Sequence, residues 1–186
     1  MTAPLKATLR KSYIEMGELC FWTATIHQWH RLLSPDHYKD VIIDTLAYLS
    51  EKKLAEVFAF VIMPNHLHLI WRTLAPNGKE SPQASLLKYT AHRFKQRLQH
   101  DNPSALEKFK VAAANKDYQF WQRDSLTVSL YTRPVAMQKL DYIHYNPLAS
   151  HWQLVKDPSE YYYSSAAFYE NSVLNFPFLK DLREEL

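Results

Sequence analysis

The chain has little of several things that define common protein classes. Its 186 residues include one cysteine, Cys20, and only two glycines. A single cysteine excludes an intramolecular disulfide framework and is typical of a reducing compartment, so we expect a cytoplasmic protein. Scarce glycine excludes glycine-rich phosphate loops, so any phosphate chemistry must use side chains or a metal ion.

No run approaches the roughly 18 apolar residues of a membrane span, and residues 1–20 lack an apolar signal core. We therefore expect no membrane partner.

Apolar residues, by contrast, are plentiful. With 47% hydrophobic and 14% aromatic residues, the chain is expected to form one domain over residues 1–186 with a sizeable core. We place the body of this domain at about residues 19–150 and a C-terminal cover at 151–186. The formal net charge is only +3, but residues 79–139 hold 11 basic and 5 acidic side chains. The middle of the chain is therefore its positive part.

Hydrophobic periodicity predicts four strands and three main helices. The strands are expected at residues 19–29, 55–64, 66–73 and 125–131, and the helices at 34–54, 81–99 and 132–147. Residues 101–117 are polar and predict a short helix or an insertion. This order predicts an α+β, ferredoxin-like βαββαβ fold with an antiparallel sheet, helices on one face and an extra C-terminal helix. The other face of the sheet is then expected to be free for a ligand, and its side chains could meet those that the last helix brings over.

The segment VIMPNHLHLIW, residues 61–71, places two histidines at the start of a predicted strand. Successive strand residues point to opposite faces, so His66 and His68 share one face and Leu67, Leu69 and Trp71 the other. The pair is suitable for binding a metal ion. The alternative is a pair of half-exposed or hydrogen-bonded histidines with no ligand.

The last predicted helix carries a second pair of polar side chains. Tyr142 and Asn146 are four residues apart and therefore lie on one helix face, with Lys139 one turn earlier on the same side. A phenol and an amide oxygen would project together from this face. The alternative is that Tyr142 and Tyr145 pack as ordinary aromatic residues and that Asn146 ends the helix before Pro147.

Taken together, several motifs resemble one known family. The sequence contains, in this order, the segments MPNHLHLI, FWQRDSL, YIHYNP and YYYSSAAFY. With these motifs the chain is similar to the single-tyrosine transposases of the HUH superfamily, and most closely to the REP-associated tyrosine transposases. The resemblance covers about residues 19–170. It implies that His66 and His68 bind a divalent metal, that Tyr142 is the nucleophile, and that Asn146 is the third metal ligand. After Pro147 the chain departs from the family pattern, in which a basic residue and a glycine often follow.

The resemblance also implies a reaction. A tyrosine, with a free pKa near 10, needs a phosphate made more electrophilic, which a hard cation such as Mg²⁺ or Mn²⁺ can provide. Since two imidazoles and an amide carry no negative charge, Mn²⁺ is expected to bind more tightly than Mg²⁺. The implied product is a 5′-phosphotyrosine link with a free 3′-hydroxyl. Tyr145 and Tyr89 are rival nucleophiles of lower rank, and His144 is expected to pack or bond elsewhere.

The implied partner is single-stranded or hairpin DNA. Basic residues of the second helix could hold phosphates, and aromatic residues could stack on bases. The predicted DNA-binding residues are Lys88, Arg93, Lys95, Arg97, Trp121, Gln122, Arg123 and Lys139. Of these, Gln122 and Arg123 could read base edges. The tyrosines at 161–163 could also stack on bases, but they are better explained as a structural cover. The alternative for the basic helix is a solvated face.

Three functions therefore stand side by side. The first is a transposase-like enzyme that nicks and joins single strands, acting as a monomer or as a homodimer. The second is a catalytically inactive hairpin DNA-binding protein with the same fold. The third is a metal-dependent hydrolase or a rolling-circle-type replication nickase that shares the histidine motif.

Overall fold

The computed structural model of the protein describes residues 16–113, 116–123 and 125–185. The predicted domain also includes residues 1–15, 114, 115, 124 and 186, which lie outside the described residues. The strands are β1 (Leu19–Thr25), β2 (Ala55–Met63), β3 (His66–Thr73), β4 (Lys110–Ala113), β5 (Lys116–Tyr118) and β6 (Leu126–Ser129). The helices are α1 (Asp36–Glu51), α2 (Pro82–Asp101), α3 (Pro103–Leu106), α4 (Arg133–Tyr145) and α5 (Ala166–Asn171).

Four strands form one antiparallel sheet in the order β2-β3-β1-β6. The order along the chain is β1, α1, β2, β3, α2 and β6, so the predicted ferredoxin-like βαββαβ fold is confirmed. The insertion expected at residues 101–117 consists of α3 and a two-stranded sheet formed by β4 and β5. It separates α2 from β6 and leaves the order of the main sheet unchanged.

Helices α1 and α2 cover one face of this sheet. Their apolar stripes pack on the face that carries Leu67, Leu69 and Trp71, and the indoles of Trp22 and Trp71 stack there with ring centroids 5.2 Å apart. The start of α2 is capped by a serine side chain, since Ser81 Oγ accepts the Ala84 N–H at 3.2 Å. This face holds the larger part of the hydrophobic core.

Helix α4 lies on the opposite face, where Leu140 and Ile143 pack with Phe21, Phe58 and other residues of the sheet. The expectation that this face is free for a ligand was therefore wrong over most of its area. The reason is that α4 has an apolar stripe of its own, which must be buried. The end of this face near His66 remains accessible through a cavity.

The C-terminal segment covers the outer edge of β2. Backbone hydrogen bonds run from Ile62 N–H to Tyr163 C=O and from Ser165 N–H to Phe60 C=O, both at 2.9 Å. The Ser165 hydroxyl also accepts the Phe60 N–H and lies 2.9 Å from His144 Nε2. An edge strand that would otherwise present unpaired backbone groups is thereby protected, and α4 is tied to the same segment.

The C-terminal boundary of β1 differs from the sequence prediction. Strand β1 ends at Thr25 and is followed by a 3-10 turn at His27–Trp29, whereas a strand was predicted up to residue 29. The turn forms because His27 N–H bonds to Phe120 C=O at 2.7 Å, a distant partner that the local pattern does not reveal. Helix α4 ends as predicted, before a 3-10 turn at Asn146–Leu148 that contains Pro147.

None of the helices in the described ranges has the length and apolar character needed to cross a lipid bilayer.

Acidification is expected to destabilise this fold through His144. Burial lowers the pKa of His144 from 6.5 to about 4, so the unfolded chain takes up this proton first as the pH falls. The stabilisation is complete above pH 6.5 and is lost between pH 6.5 and 4, which amounts to about 2 kcal/mol by pH 5. We expect urea unfolding to show that the free energy of unfolding falls less between pH 7 and pH 5 in His144→Gln than in the wild type.

The exposed His92 provides the control for this measurement. His92→Gln should show the same loss between pH 7 and pH 5 as the wild type. An equal loss in the His144→Gln variant would mean that other groups carry the acid sensitivity of the fold.

Candidate active site

The pairing of β1 with β3 brings four polar side chains onto one face of the sheet. Thr23 lies directly opposite His68, and Thr25 lies opposite His66. Directly opposed residues of an antiparallel pair share a face, so the two hydroxyls and the two imidazoles form one polar patch. The patch lies on the α4 side, as the alternation of residues 66–71 predicts.

Each imidazole is oriented by a neighbour that bonds its Nδ1 atom. Asn65 Oδ1 lies 2.7 Å from His66 Nδ1, and Thr23 Oγ1 lies 2.7 Å from His68 Nδ1. The Asn65 amide group donates its N–H to Trp29 C=O at 3.3 Å, which leaves its oxygen to accept from His66. In this arrangement His66 carries its proton on Nδ1, and its Nε2 lone pair is free to bind a ligand.

Both histidines are buried and neutral near pH 7. Burial lowers the pKa of His66 to about 4, although contact with the Asn146 side chain raises it and the charge of His151 lowers it further. Burial, with smaller contributions from His66 and Lys139, holds the pKa of His68 well below 6.5. The ring centroids lie 4.6 Å apart. Two neutral imidazoles this close are able to act as ligands to a cation.

Helix α4 brings Tyr142 to this pair. Its ring centroid lies 5.2 Å from that of His68 and 5.9 Å from that of Phe21. Asn146 follows the helix with φ −56° and ψ −43°, so helical geometry continues and the i, i+4 relation to Tyr142 is kept. The ammonium group of Lys139 lies 5.5 Å from the centroid of the Tyr142 ring. One chain therefore supplies the histidines, the phenol and the amide.

These side chains line a cavity of about 420 Å³. Its walls are formed by Thr23, Thr25, Trp29, His66, His68, Tyr142, Tyr145, Asn146, Ala149, His151 and Trp152. Two buried atoms in it, His68 Nε2 and Asn146 Oδ1, have no hydrogen-bond partner. Unpaired buried polar atoms are costly and call for an explanation. A bound cation would satisfy both atoms.

The donor set fits a divalent cation that accepts nitrogen as well as oxygen ligands. It offers an imidazole nitrogen from His66, another from His68 and an amide oxygen from Asn146, all without charge. Within the described ranges no group of three or more His, Cys, Asp or Glu side chains is placed to hold a metal ion. A cation in this cavity would therefore depend on Asn146 as well as on the histidines, and imidazole ligands favour Mn²⁺ over Mg²⁺.

The alternative nucleophiles Tyr145 and Tyr89, and the neighbouring His144, lie in three different surroundings. Tyr145 lines the same cavity and is 58% exposed, against 48% for Tyr142. Tyr89 lies in a separate cavity beside α1. His144 is buried against Ser165, as expected for a residue that bonds elsewhere. Among the tyrosines of the described ranges, Tyr145 is thus the one alternative that lines the cavity with the histidines.

Most of the predicted DNA-binding residues lie away from this cavity. Helix α2, with Lys88, Arg93, Lys95 and Arg97, packs on the opposite face of the sheet. The Lys88 ammonium pairs with Glu80 at 2.6 Å, and the Lys95 ammonium lies 4.8 Å from the centroid of the Tyr118 ring. These cations can contact DNA only where it extends beyond the cavity.

The segment at residues 121–123 gives a mixed result. Trp121 is 6% exposed and donates its indole N–H to Thr90 Oγ1 at 2.9 Å. A buried indole offers no face to a base, so we correct the prediction that Trp121 stacks on DNA. Gln122 bonds through its backbone N–H to Thr25 C=O, at the cavity end of β1, and Arg123 is exposed beside it. Lys139 is the predicted cation nearest to the tyrosine.

Sequence reasoning missed several residues around the histidines. These are Thr23 and Asn65, which orient the two rings, and Trp29, His151 and Trp152, which line the cavity. The signal for Asn65 was present in the PNHLH segment itself, directly before His66. The others become visible only when the strand register and the packing of the C-terminal segment are known.

Comparison with known proteins places the fold. No protein-family model matches the chain, and no match was found among the curated proteins. Among solved structures, the chain is similar to a REP-associated tyrosine transposase bound to a REP hairpin, with a TM-score of 0.56 and 18% identity over 89% of this chain and 82% of that one. The predicted resemblance is therefore confirmed at the level of the fold.

A second solved structure, a candidate transposase from Deinococcus radiodurans R1, is similar at 17% identity over 72% of this chain and 92% of that one. Its TM-score of 0.41 is too low to carry an argument.

A hydrogen bond in which the Thr23 hydroxyl accepts the Nδ1–H of His68 is expected to set the tautomer of this ring. In the wild type, the ¹⁵N chemical shifts of His68 should indicate a protonated Nδ1 and an unprotonated Nε2. Thr23→Val keeps the shape but removes the acceptor, so both tautomers should then be populated. Thr127→Val is the matched control, since the buried Thr127 hydroxyl on β6 has no hydrogen-bond partner. An unchanged tautomer in Thr23→Val would contradict this role.

Proposed function

We propose that the chain is a transposase-like enzyme that nicks and joins single-stranded DNA with Tyr142 as its nucleophile. The observation that carries this proposal is the convergence of Tyr142, His66, His68 and Asn146 on one cavity within a single chain. The shared fold with a REP-associated tyrosine transposase supports it. Because one chain supplies all four side chains, a second copy is not needed to complete the site, although a homodimer is compatible with it.

In the proposed reaction the phenol oxygen of Tyr142 attacks the phosphorus of a DNA phosphodiester. A bond forms between the tyrosine, which loses its phenol proton, and the 5′-phosphate. The bond to the 3′-oxygen breaks, and this oxygen takes up a proton to become a free 3′-hydroxyl. The packing of α4 on the sheet holds the phenol beside His68 and so fixes the direction of attack. Attack of a 3′-hydroxyl on the phosphotyrosine reverses the step and rejoins a strand without ATP.

A Mg²⁺ or Mn²⁺ ion held by His66, His68 and Asn146 would supply electrophilic activation of the phosphate. The surrounding residues prepare these ligands: Asn65 and Thr23 orient the rings, and burial keeps both imidazoles neutral. The Lys139 ammonium, 5.5 Å from the centroid of the Tyr142 ring, would add positive charge near the site where the pentavalent transition state gathers negative charge.

The proposed substrate is single-stranded DNA next to a hairpin. A cavity of about 420 Å³ with aromatic walls accommodates an unpaired nucleotide and not a duplex. The basic residues of α2 and Arg123 would contact phosphates of the flanking DNA outside the cavity.

Replacing Tyr142 with Phe is expected to abolish covalent adduct formation. The test uses labelled oligonucleotides with a hairpin and a single-stranded flank, incubated with protein and Mn²⁺ and analysed by denaturing gel and mass spectrometry. Adducts should fall at least 10³-fold below the wild type because the phenylalanine lacks the attacking oxygen. Hairpin binding should change by less than a few-fold, since the ring and its packing are kept.

Tyr145→Phe is the matched control, because both tyrosines line the cavity on the same helix. It should retain most of the adduct. Loss of the adduct in Tyr145→Phe with retention in Tyr142→Phe would assign the nucleophile to Tyr145. A cut strand with no protein-linked product in the wild type would identify a hydrolase instead.

His68→Ala is expected to weaken Mn²⁺ binding and to abolish the reaction. We expect Mn²⁺ affinity, measured by calorimetry in the presence of hairpin DNA, to fall by at least tenfold, and adduct formation to be lost. His92→Ala, on the exposed side of α2, should behave like the wild type. If His68→Ala binds hairpins normally and the wild type itself forms no adduct, the chain is a binding protein that lacks the chemistry.

A further inference from the structure

The loop after β1 holds an exposed tryptophan in an unusual backbone conformation. Gln28 and Trp29 have positive φ angles of 52° and 58°. A bulky residue in this left-handed region is an outlier that persists only where its surroundings enforce it. Yet Trp29 is 59% exposed, so burial of its indole does not explain why it stands there.

Hydrogen bonds from two distant segments hold this loop. Trp29 N–H bonds to Ile26 C=O at 2.9 Å, and His27 N–H bonds to Phe120 C=O at 2.7 Å. The Asn65 side chain donates to Trp29 C=O and, with its other end, contacts His66 Nδ1. The position of the Trp29 backbone is therefore linked directly to the orientation of a histidine in the site.

The exposed indole belongs to the wall of the cavity, and a second indole of this wall also lies near His66. The ring centroid of Trp29 lies 6.5 Å from that of His66, and the centroid of Trp152 lies 6.1 Å from the same ring. Trp152 is half-buried, and the guanidinium of Arg31 lies 5.1 Å from its ring centroid. Two aromatic surfaces and a cation thus stand on the His66 side of the cavity, whereas Tyr142 stands on the His68 side.

We propose that Trp29 and Trp152 bind one unpaired nucleobase of the DNA strand, next to the phosphate that Tyr142 attacks. This inference rests on the proposed function and adds to it the position of a base. Stacking on an indole accepts any base, so the two tryptophans position the strand without reading its sequence. Arg31 would hold the phosphate of the same nucleotide.

The test measures equilibrium binding of a hairpin oligonucleotide with a single-stranded flank, without metal, in the Tyr142→Phe background so that no strand is cut. A series of oligonucleotides carries an abasic site at each flank position in turn. One position should lose about tenfold in affinity, the order expected for one stacked base. Trp29→Asn should weaken binding of the intact oligonucleotide by a similar factor, but should cause no further loss with the abasic site at that position.

Asn is chosen because it tolerates a positive φ angle, so the variant relieves the strained backbone. Its urea midpoint should equal or exceed that of the parent protein, whereas a purely structural Trp29 would lower stability and leave DNA affinity unchanged. Trp29→Phe keeps an aromatic face and should retain most of the affinity. Tyr48→Ala, which removes an exposed aromatic ring outside this cavity, is the control and should bind like the parent.

Additive losses at every abasic position, or unchanged affinity of Trp29→Asn, would overturn the proposed base site, as would a lack of binding to any of the oligonucleotides. Its failure can be separated from failure of the proposed chemistry. If adduct formation depends on Tyr142 but DNA affinity does not change in Trp29→Asn, only the proposed base site is rejected. Coupling between Trp29 and one abasic position, in a protein whose Tyr142 forms no adduct, would leave the base site in place and remove the chemistry.

Discussion

The antiparallel pairing of β1 with β3 is the constraint on which the rest of the site depends. In this register Thr23 and Thr25 face His68 and His66 on one side, while Trp22 and Trp71 stack on the other side. A shift of one residue would exchange the two faces of a strand, moving imidazoles into the hydrophobic core. The burial of Leu67, Leu69 and Trp71 under α1 and α2 therefore also fixes where the histidines point.

The packing of α4 on the other face of the sheet completes the site. Leu140 and Ile143 of α4 are buried on the sheet, and His144 is tied to Ser165 of the segment that covers β2. These contacts leave Tyr142 at the flank of the helix, beside His68 and only half exposed. The phenol is therefore positioned by residues that take no part in the proposed reaction, and the C-terminal segment contributes to the site by holding α4 in place.

A feature of this fold could be predicted from the sequence when it depends on residues that are close together in the chain. The βαββαβ order, the face shared by the histidines and the end of α4 before Pro147 all follow from periodicity or from a neighbouring residue, and the fold prediction was confirmed. The turn at Trp29 and the burial of Trp121 depend on partners far along the chain, Phe120 and Thr90. An approach of the last helix to the histidines was expected, but the covering of the second sheet face by its apolar stripe was not, because periodicity does not say which sheet face a helix covers. The roles of Tyr142, His66, His68 and Asn146 stay predictions.

The chemistry of the cavity points to a substrate that supplies negative charge. Among the described residues that line it, none is a carboxylate, and the proposed ligands are two neutral imidazoles and an amide. A cation bound by neutral ligands keeps its full charge, so its binding is weak until an anionic group joins the shell. A DNA phosphate is such a group, and Lys139 reinforces the attraction. In the proposed enzyme the cation and the strand therefore bind cooperatively, which confines the reactive arrangement to the complex with DNA.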